Sequence, residues 1–336
     1  MRLFRTFILR LATTAVTLFG VAVIVFVVIR VVPGNPIAMM LPPGATEADV
    51  ARLSALYGLD KSIPQQFLIW AGGVLQGDFG TSITTRQPVL ALVLGRLPAT
   101  LELSVMALVM AVIIGGFAAL TGTRLRGTRT EGAIDVANGM ALSVPDFLWG
   151  LVLILMFGVL VPVFHISGRV TPSLDLPFVT NFYLFESLIR LRLDLWADIV
   201  AHMFMPALAL AIPLSAIIGQ LLKQSLKETM HLDYVTLSRT KGYGENHVIL
   251  REALPNAILP TPTLVGVQFT FLIGGTVIIE RLFSYEGLGN MAIDAVINRD
   301  LPLIQGIVIL FAAIFTAVNL LVDLAYAALN PRLRHA

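Results

Sequence analysis

The chain has 336 residues, of which 57% are hydrophobic and only 13% charged, with a mean hydropathy of +0.85 and a net charge of +2. A soluble domain of average usage carries about a quarter charged residues, so this is the composition of a polytopic membrane protein, and the small net charge gives no sign of a nucleic-acid partner. The absence of cysteine excludes disulfides, thiolate metal sites and thiol catalysis; the five histidines form no HExxH or other close ligand pair, and no GxxxxGK[ST] phosphate loop is present.

A helix crosses the hydrocarbon core with about 20 mainly apolar residues, and six stretches meet that length. The first, Leu11–Ile29 ("LATTAVTLFGVAVIVFVVI"), follows Arg2, Arg5 and Arg10. It is too long for a signal-peptide core and lacks a small-residue cleavage site, so 1–32 is expected to be an N-terminus and a retained first span. Residues 33–98 exceed a plain connector. "TEADVARLSALYG" opens on a Thr46 cap and ends at Gly58. "SIPQQFLIWAGGVLQGDFG" has Pro64 in a first turn and Gly77 and Gly80 behind it. Two short helices in an extracytoplasmic insert are predicted.

The second span is predicted at Thr100–Leu120, with Glu102 in its first turn after Pro98, complementing the helix N-terminus. The third, Ile134–Val163, is long and contains Pro145, which predicts a kink or tilt. Asp146 falls about 11 residues into it, near mid-membrane at ~1.5 Å per residue. Either it faces a translocation pathway, or the helix starts later and Asp146 sits shallower against another subunit. Residues 164–198 ("LPFVTNFYLFESLIRLRLDLW" within them) mix apolar and charged residues as an interfacial helix does. The fourth span, Ile199–Leu222, contains Pro206 and Pro213, which either free backbone carbonyls toward a pore or make ordinary packed kinks. The fifth is predicted at Leu259–Ile279 and the sixth at Leu303–Leu329, with Asp323 at the inner interface. The fold class is therefore an all-α polytopic membrane protein of six transmembrane helices, with residues 99–336 as a five-helix core.

Lys and Arg in the connections set the orientation. Thirteen lie in the N-terminus, 121–135, 223–258 and the C-terminus, against nine spread over the longer segments 33–98, 164–198 and 280–302. Both termini and the 223–258 loop are expected to be cytoplasmic.

That loop is the most polar part of the core. In "KQSLKETMHLDYVTLSRT" (223–240), Leu226, Met230, Asp233/Tyr234 and Leu237 share one helical strip, and Lys227, Glu228, His231 and Arg239 the opposite one. Gly242 breaks this helix; a second short helix runs through "ENHVILREAL", and Pro255 is expected to stop it. The knuckle so formed is either a handle for a cytoplasmic partner or an amphipathic element resting on lipid headgroups.

"DYVTLSRTKGYGENHVILREALPNAILP" (233–260) resembles the cytoplasmic loop of ABC importer permeases, in which a Glu-Ala-Ala segment precedes a glycine and a Leu-Pro pair follows. Gly242 matches the glycine and Leu254–Pro255 the pair; Thr236-Leu237-Ser238 stands at the Glu-Ala-Ala positions, a departure usual in the peptide branch. "RVVPGNP" (30–36), "YGLDKSIPQQFLIWAGGVLQGDFGTS" (57–82), "RLPATLEL" (96–103), "SVPDF" (143–147) and "ERLFSYEGLGNMAIDAVINRDLPLIQG" (280–306) extend the resemblance to dipeptide, oligopeptide and nickel permeases over nearly the whole chain. Glu286-Gly287-Leu288-Gly289 replaces the family's usual Pro-Gly-Leu-Gly, altering a turn.

The resemblance implies the type I ABC importer permease fold and a non-catalytic B-type subunit. It implies pairing with a C-type permease, two cytoplasmic ATPases that carry ATP and Mg, and an extracytoplasmic binding protein. The 223–258 loop would be a coupling helix docking on one ATPase. Gly242 would permit the turn, and Tyr243, His247, Val248 and Leu250 would supply contacts. Arg239, Lys241, Glu245, Arg251 and Glu252 would supply charges, with Leu254 and Pro255 closing the motif. Pro145, Asp146 and Pro213 are the pathway candidates. Peptide cargo is expected, with nickel, metallophore or opine cargo as the alternative in the same class; no cluster of carboxylates or histidines points to a metal ion held by this chain. An ion-coupled secondary transporter would need several buried ionisable residues and often inverted repeats; a membrane-embedded enzyme would need a nucleophile–base or metal constellation. Neither pattern is found in the sequence.

Overall fold

Among the described residues, 2–31, 46, 61–174 and 178–329 of a computed structural model, the chain is built of helices. They run α1 (Arg2–Val31), α2 (Ile63–Leu75), α3 (Val89–Arg124), α4 (Arg129–Ser143), α5 (Asp146–Leu153, continued by a π turn Ile154–Leu160), α6 (Tyr183–Ile189), α7 (Leu193–Thr229), α8 (Asp233–Thr240), α9 (Glu245–His247, continued by a π turn Val248–Ala253), α10 (Leu254–Ala257), α11 (Thr261–Leu282), α12 (Leu288–Ile297) and α13 (Leu301–Leu329). Four of these, α3, α7, α11 and α13, are long and apolar enough to cross a membrane, and α4 with α5 makes a fifth if the bent pair is one crossing. α1 carries a shorter apolar run, Ala12–Val28. At ~1.5 Å per residue, α3 and α7 are each about 55 Å long, so both ends project beyond a hydrocarbon core of about 30 Å.

The chain divides into two compact units, residues 1–97 with 290–317 and residues 98–289 with 318–336. In the first, Phe26 of α1 is buried against Phe67 and Trp70 of α2, with ring centroids 5.2 and 5.4 Å away. α2 begins with Pro64 in its first turn and is followed by Gly77 and Gly80, both at positive φ, as their spacing predicts. The other helix predicted in this segment, 46–58, lies outside the described residues except for Thr46. Buried Asp300 accepts from Ser82 Oγ at 2.5 Å and Thr84 N at 3.0 Å, and caps the start of α13 through Leu303 N.

In the second unit α7 is the axis. Its Met203, Met205, Ala207, Leu210, Ala211, Leu214 and Ile218 are buried among side chains of α3, α5 and α11. Small residues set the approach of α3 to α7: a Cβ on Gly115 would lie 2.4 Å from the Ser215 carbonyl, and one on Gly219 3.0 Å from the Gly115 carbonyl. α7 runs unbroken through Pro206 and Pro213, so these prolines do not interrupt the span.

Two expectations need correction. The third predicted span is not one helix: α4 and α5 meet at 105° around Val144–Pro145, so counting rise per residue does not give the depth of Asp146. Val144 is extended, the conformation favoured before proline, and α4 ends at Ser143, ahead of Pro145, which has no N–H to continue the ladder. Glu102 is not in a first turn either. α3 starts at Val89 and contains Pro98, so Glu102 sits deep within a helix with no free N-terminus beside it.

Candidate functional site

The loop between α7 and α11 folds as a knuckle. α7 ends at Thr229, and Leu232 N donates to the Thr229 carbonyl to reverse the chain. α8 carries Asp233 in its first turn, where the helix dipole favours a carboxylate. It closes at Gly242, whose φ of +83° is the left-handed conformation that other residues reach only at a cost. No atom lies within 4 Å of where a Gly242 Cβ would sit, so the requirement is backbone angle and not space.

α9, the π turn Val248–Ala253 and α10 then form a continuous helical run. Pro255 does not stop it. It occupies the first turn of α10, and the wide π turn just ahead relieves the missing N–H and the clash a proline ring makes with the carbonyl four residues earlier.

The inner face of the knuckle is one apolar cluster of Leu226, Met230, Val235, Val248, Ile249, Ala253 and Ala257, with Leu254 packed against it. The predicted strip continuing to Tyr234 and Leu237 is interrupted, because the turn at Met230–Leu232 rotates α8 away from α7; those two side chains are exposed. Val248, fully buried, holds the knuckle together, while Tyr243 and Leu250 are about half exposed on its outside. Tyr243 stacks on His247 at 4.4 Å. Arg239 pairs with Glu245 at 2.8 Å, and His247 lies 3.6 Å from Glu252. Exposed Lys241 and Arg251 make no ion pair among the described residues, and Pro255 is exposed. Lys223 joins α7 to α4 through Glu131 at 2.8 Å and Asp135 at 2.7 Å.

The pathway candidates belong to other elements. Pro145 precedes α5, and half-buried Asp146 opens it, its Oδ1 accepting from Phe147 N at 2.8 Å. Pro213 is half-buried within α7.

At the opposite end of α7 the structure assembles a polar cluster that spacing did not reveal. Arg169 Nη2 lies 2.6 Å from Glu102 Oε2 and 2.6 Å from the Asn181 carbonyl, with its guanidinium 3.9 Å over the Tyr183 ring. Phe185 N also donates to Glu102. Burial pushes the Tyr285 phenol, beside this pair, well above its usual range, so it stays neutral. Glu186 accepts from the Thr180 hydroxyl and the Val179 and Thr180 amides and pairs with Arg190. These contacts, the Thr180 hydroxyl foremost, hold its carboxyl down at about 2.

The family described as "binding-protein-dependent transport system inner membrane component" matches residues 111–335, and its N-terminal counterpart matches residues 3–104. The chain is 38% identical over 334 residues to a dipeptide transport system permease protein of Escherichia coli, covering 97% of each. It is 36% identical over 329 residues to a di/tripeptide transport system permease protein of Pseudomonas aeruginosa, again covering 97% of each. Among solved structures it is similar to the MetNI methionine ABC transporter in an inward-facing form. There the TM-score is 0.55 at 13% identity, over 71% of this chain and 96% of that one, a likeness of fold.

Proposed function

Because the chain belongs to the family of binding-protein-dependent transport system inner membrane components, we propose that it is the permease subunit of an ATP-driven importer of di- or oligopeptides. The observation that carries this is the knuckle on full-length likeness to di- and tripeptide permeases. The protein itself carries out no chemistry. Its partners are two cytoplasmic ATPases bearing ATP and Mg, a related C-type permease and an extracytoplasmic binding protein. The excess of Lys and Arg on the 223–258 loop and the termini supports a cytoplasmic knuckle.

In this reading the knuckle docks on an ATPase through its exposed outer face. Tyr243 and Leu250 supply apolar contact, and Lys241 and Arg251 supply charges that have no ion-pair partner among the described residues. Arg239, Glu245, His247 and Glu252 shape that face by pairing with one another. The inner cluster makes the knuckle a rigid extension of α7, and only three residues separate its end from α11, so force on the knuckle reaches both helices. The Lys223 bridges carry it to α4. Rocking of these helices then alternates access to the cargo.

Affinity purification of this subunit in mild detergent is expected to recover a second permease and one or two P-loop ATPases. Vesicles holding that complex and its binding protein should take up labelled dipeptide, with unlabelled peptide but not nickel salt competing. Recovery of this chain alone, still transporting, would overturn the reading.

Asp146 is proposed to face the pathway, as an ionisable group at the break of an apolar helix pair. Asp146→Asn is therefore expected to change KM or kcat of uptake several-fold at unchanged expression. Identical kinetics across peptide cargoes would leave Asp146 as a first-turn carboxylate that complements the N-terminus of α5.

A further inference from the structure

Of the five histidines, two meet face to face. His165, after the π turn that ends α5, stacks on His202 of α7 with ring centroids 3.9 Å apart and planes 10° apart. Asp198 lies one helical turn before His202, on the same face of α7. One ligand atom from each of His165, Asp198 and His202 lies within 4.8 Å of the others. We propose that these three side chains form a site for a divalent transition-metal ion of the Zn(II), Cu(II) or Ni(II) class.

The surroundings are those of a held ligand set. His202 is buried, and its Nδ1 lies 2.8 Å from the Asp198 carbonyl. A carbonyl only accepts, so the proton is on Nδ1 and Nε2 keeps the lone pair, the outer bond that ligating histidines ordinarily have. Asp198 is oriented by Thr171, whose amide and hydroxyl donate to its two oxygens at 2.9 and 2.7 Å. Those bonds fix the carboxylate and leave lone pairs on both oxygens. The segment bearing His165 is anchored on either side. Phe164 stacks on Phe204 at 4.6 Å, and Ile166 fills the space where Gly158 has no side chain.

Parallel rings cannot aim two in-plane lone pairs at one ion. Coordination therefore requires His165 to turn out of the stack while His202 keeps its orientation. His165 is exposed and free to turn, and its exposure gives the ion an entry. Bringing the three donor atoms to the separation of about 3.4 Å that two ligands have around a tetrahedral ion with ~2.1 Å bonds is then a side-chain movement. Two imidazoles and one carboxylate favour Zn(II), Cu(II) and Ni(II) over Mg(II) and Ca(II), which take oxygen donors. The site bridges the 164–171 segment to α7, so an occupying ion would clamp that segment to the helix the knuckle drives.

The test is metal binding by the full-length chain in lipid nanodiscs, carrying a tag without histidine. Cu(II) is expected to bind at one ion per chain with an EPR spectrum showing two nitrogen ligands, and Zn(II) is expected to compete for the same site only in large excess. His165→Gln, on an exposed side chain, should remove one nitrogen and weaken Cu(II) binding at least tenfold. Asp198→Asn should weaken it without changing the nitrogen count. Zn(II), but not Mg(II), should raise the unfolding temperature of the unsubstituted chain by several degrees and leave that of His165→Gln unmoved. Unchanged stoichiometry, spectrum and affinity in His165→Gln would place any bound copper elsewhere and overturn the proposal. None of these readouts depends on transport, so a negative result would leave the permease reading standing.

Discussion

Gly242→Pro is expected to abolish peptide uptake while the subunit remains in the membrane at ordinary abundance, and deletion of Glu245–Arg251 is expected to do the same. Proline fixes φ near −65°, whereas Gly242 stands at +83°, and its N–H donates to the Arg239 carbonyl at 2.9 Å. Both the angle and the bond are lost, so α8 and the run that follows no longer meet at the angle that presents Tyr243 and Leu250 together. The deletion also removes Val248 and Ile249 from the inner cluster, so its loss of uptake mixes docking with local unfolding. The exposed side chains separate the two. Leu250→Asp puts a charge on the proposed docking face without touching the cluster, and a tenfold loss of docking affinity corresponds to about 1.4 kcal/mol. ATPase recovered with the complex should fall at least tenfold in affinity and uptake with it, while thermal stability of the isolated chain stays unchanged. Full uptake and full ATPase recovery in both Gly242→Pro and Leu250→Asp would remove the knuckle from coupling.

How much of this was legible depends on how local the cause is. The long spans are visible because lipid exposure demands about 20 apolar residues in a row, and α3, α7, α11 and α13 satisfy that in the chain itself. Gly242 is visible because a helix that must turn sharply calls for a residue tolerating positive φ. Pro145 announces an interruption but not its size. The 105° bend also depends on packing elsewhere, for instance on Gly150, where a Cβ would lie 2.6 Å from Leu282 of α11. The outward turn of Tyr234 and Leu237 was hidden for a related reason. Their period is right for one helix, and only the reversal at Met230–Leu232 puts them on another. Asp198 and His202 stand four apart on one helix, a spacing with no metal signal of its own, and His165 arrives beside them by a chain reversal with no periodic signature. The pairing of Arg169 with Glu102 spans 67 residues and leaves no pattern at all.

That pair sets the largest stability effect expected in the chain. Glu102 sits within a membrane-crossing helix and both partners are buried. Removing one partner of a buried ion pair leaves the other charge without compensation and costs about 3–5 kcal/mol, whereas removing both is far milder. Arg169→Met also loses the bond to the Asn181 carbonyl and the cation–π contact with Tyr183, so the segment bearing Phe182–Phe185 loses its anchor. The unfolding temperature of the solubilised chain should drop by roughly 10 °C, since ~1 kcal/mol moves a domain of this size by about 2–4 °C. Combining it with Glu102→Gln removes the orphaned charge, and the double variant should regain more than half of the loss. The non-additivity is the informative quantity, because a purely steric role for Arg169 predicts that the two substitutions add. If the double variant is as unstable as the sum of the singles, the pair is not what joins α3 to the 169–185 segment, and the Tyr183 and Asn181 contacts carry that junction alone.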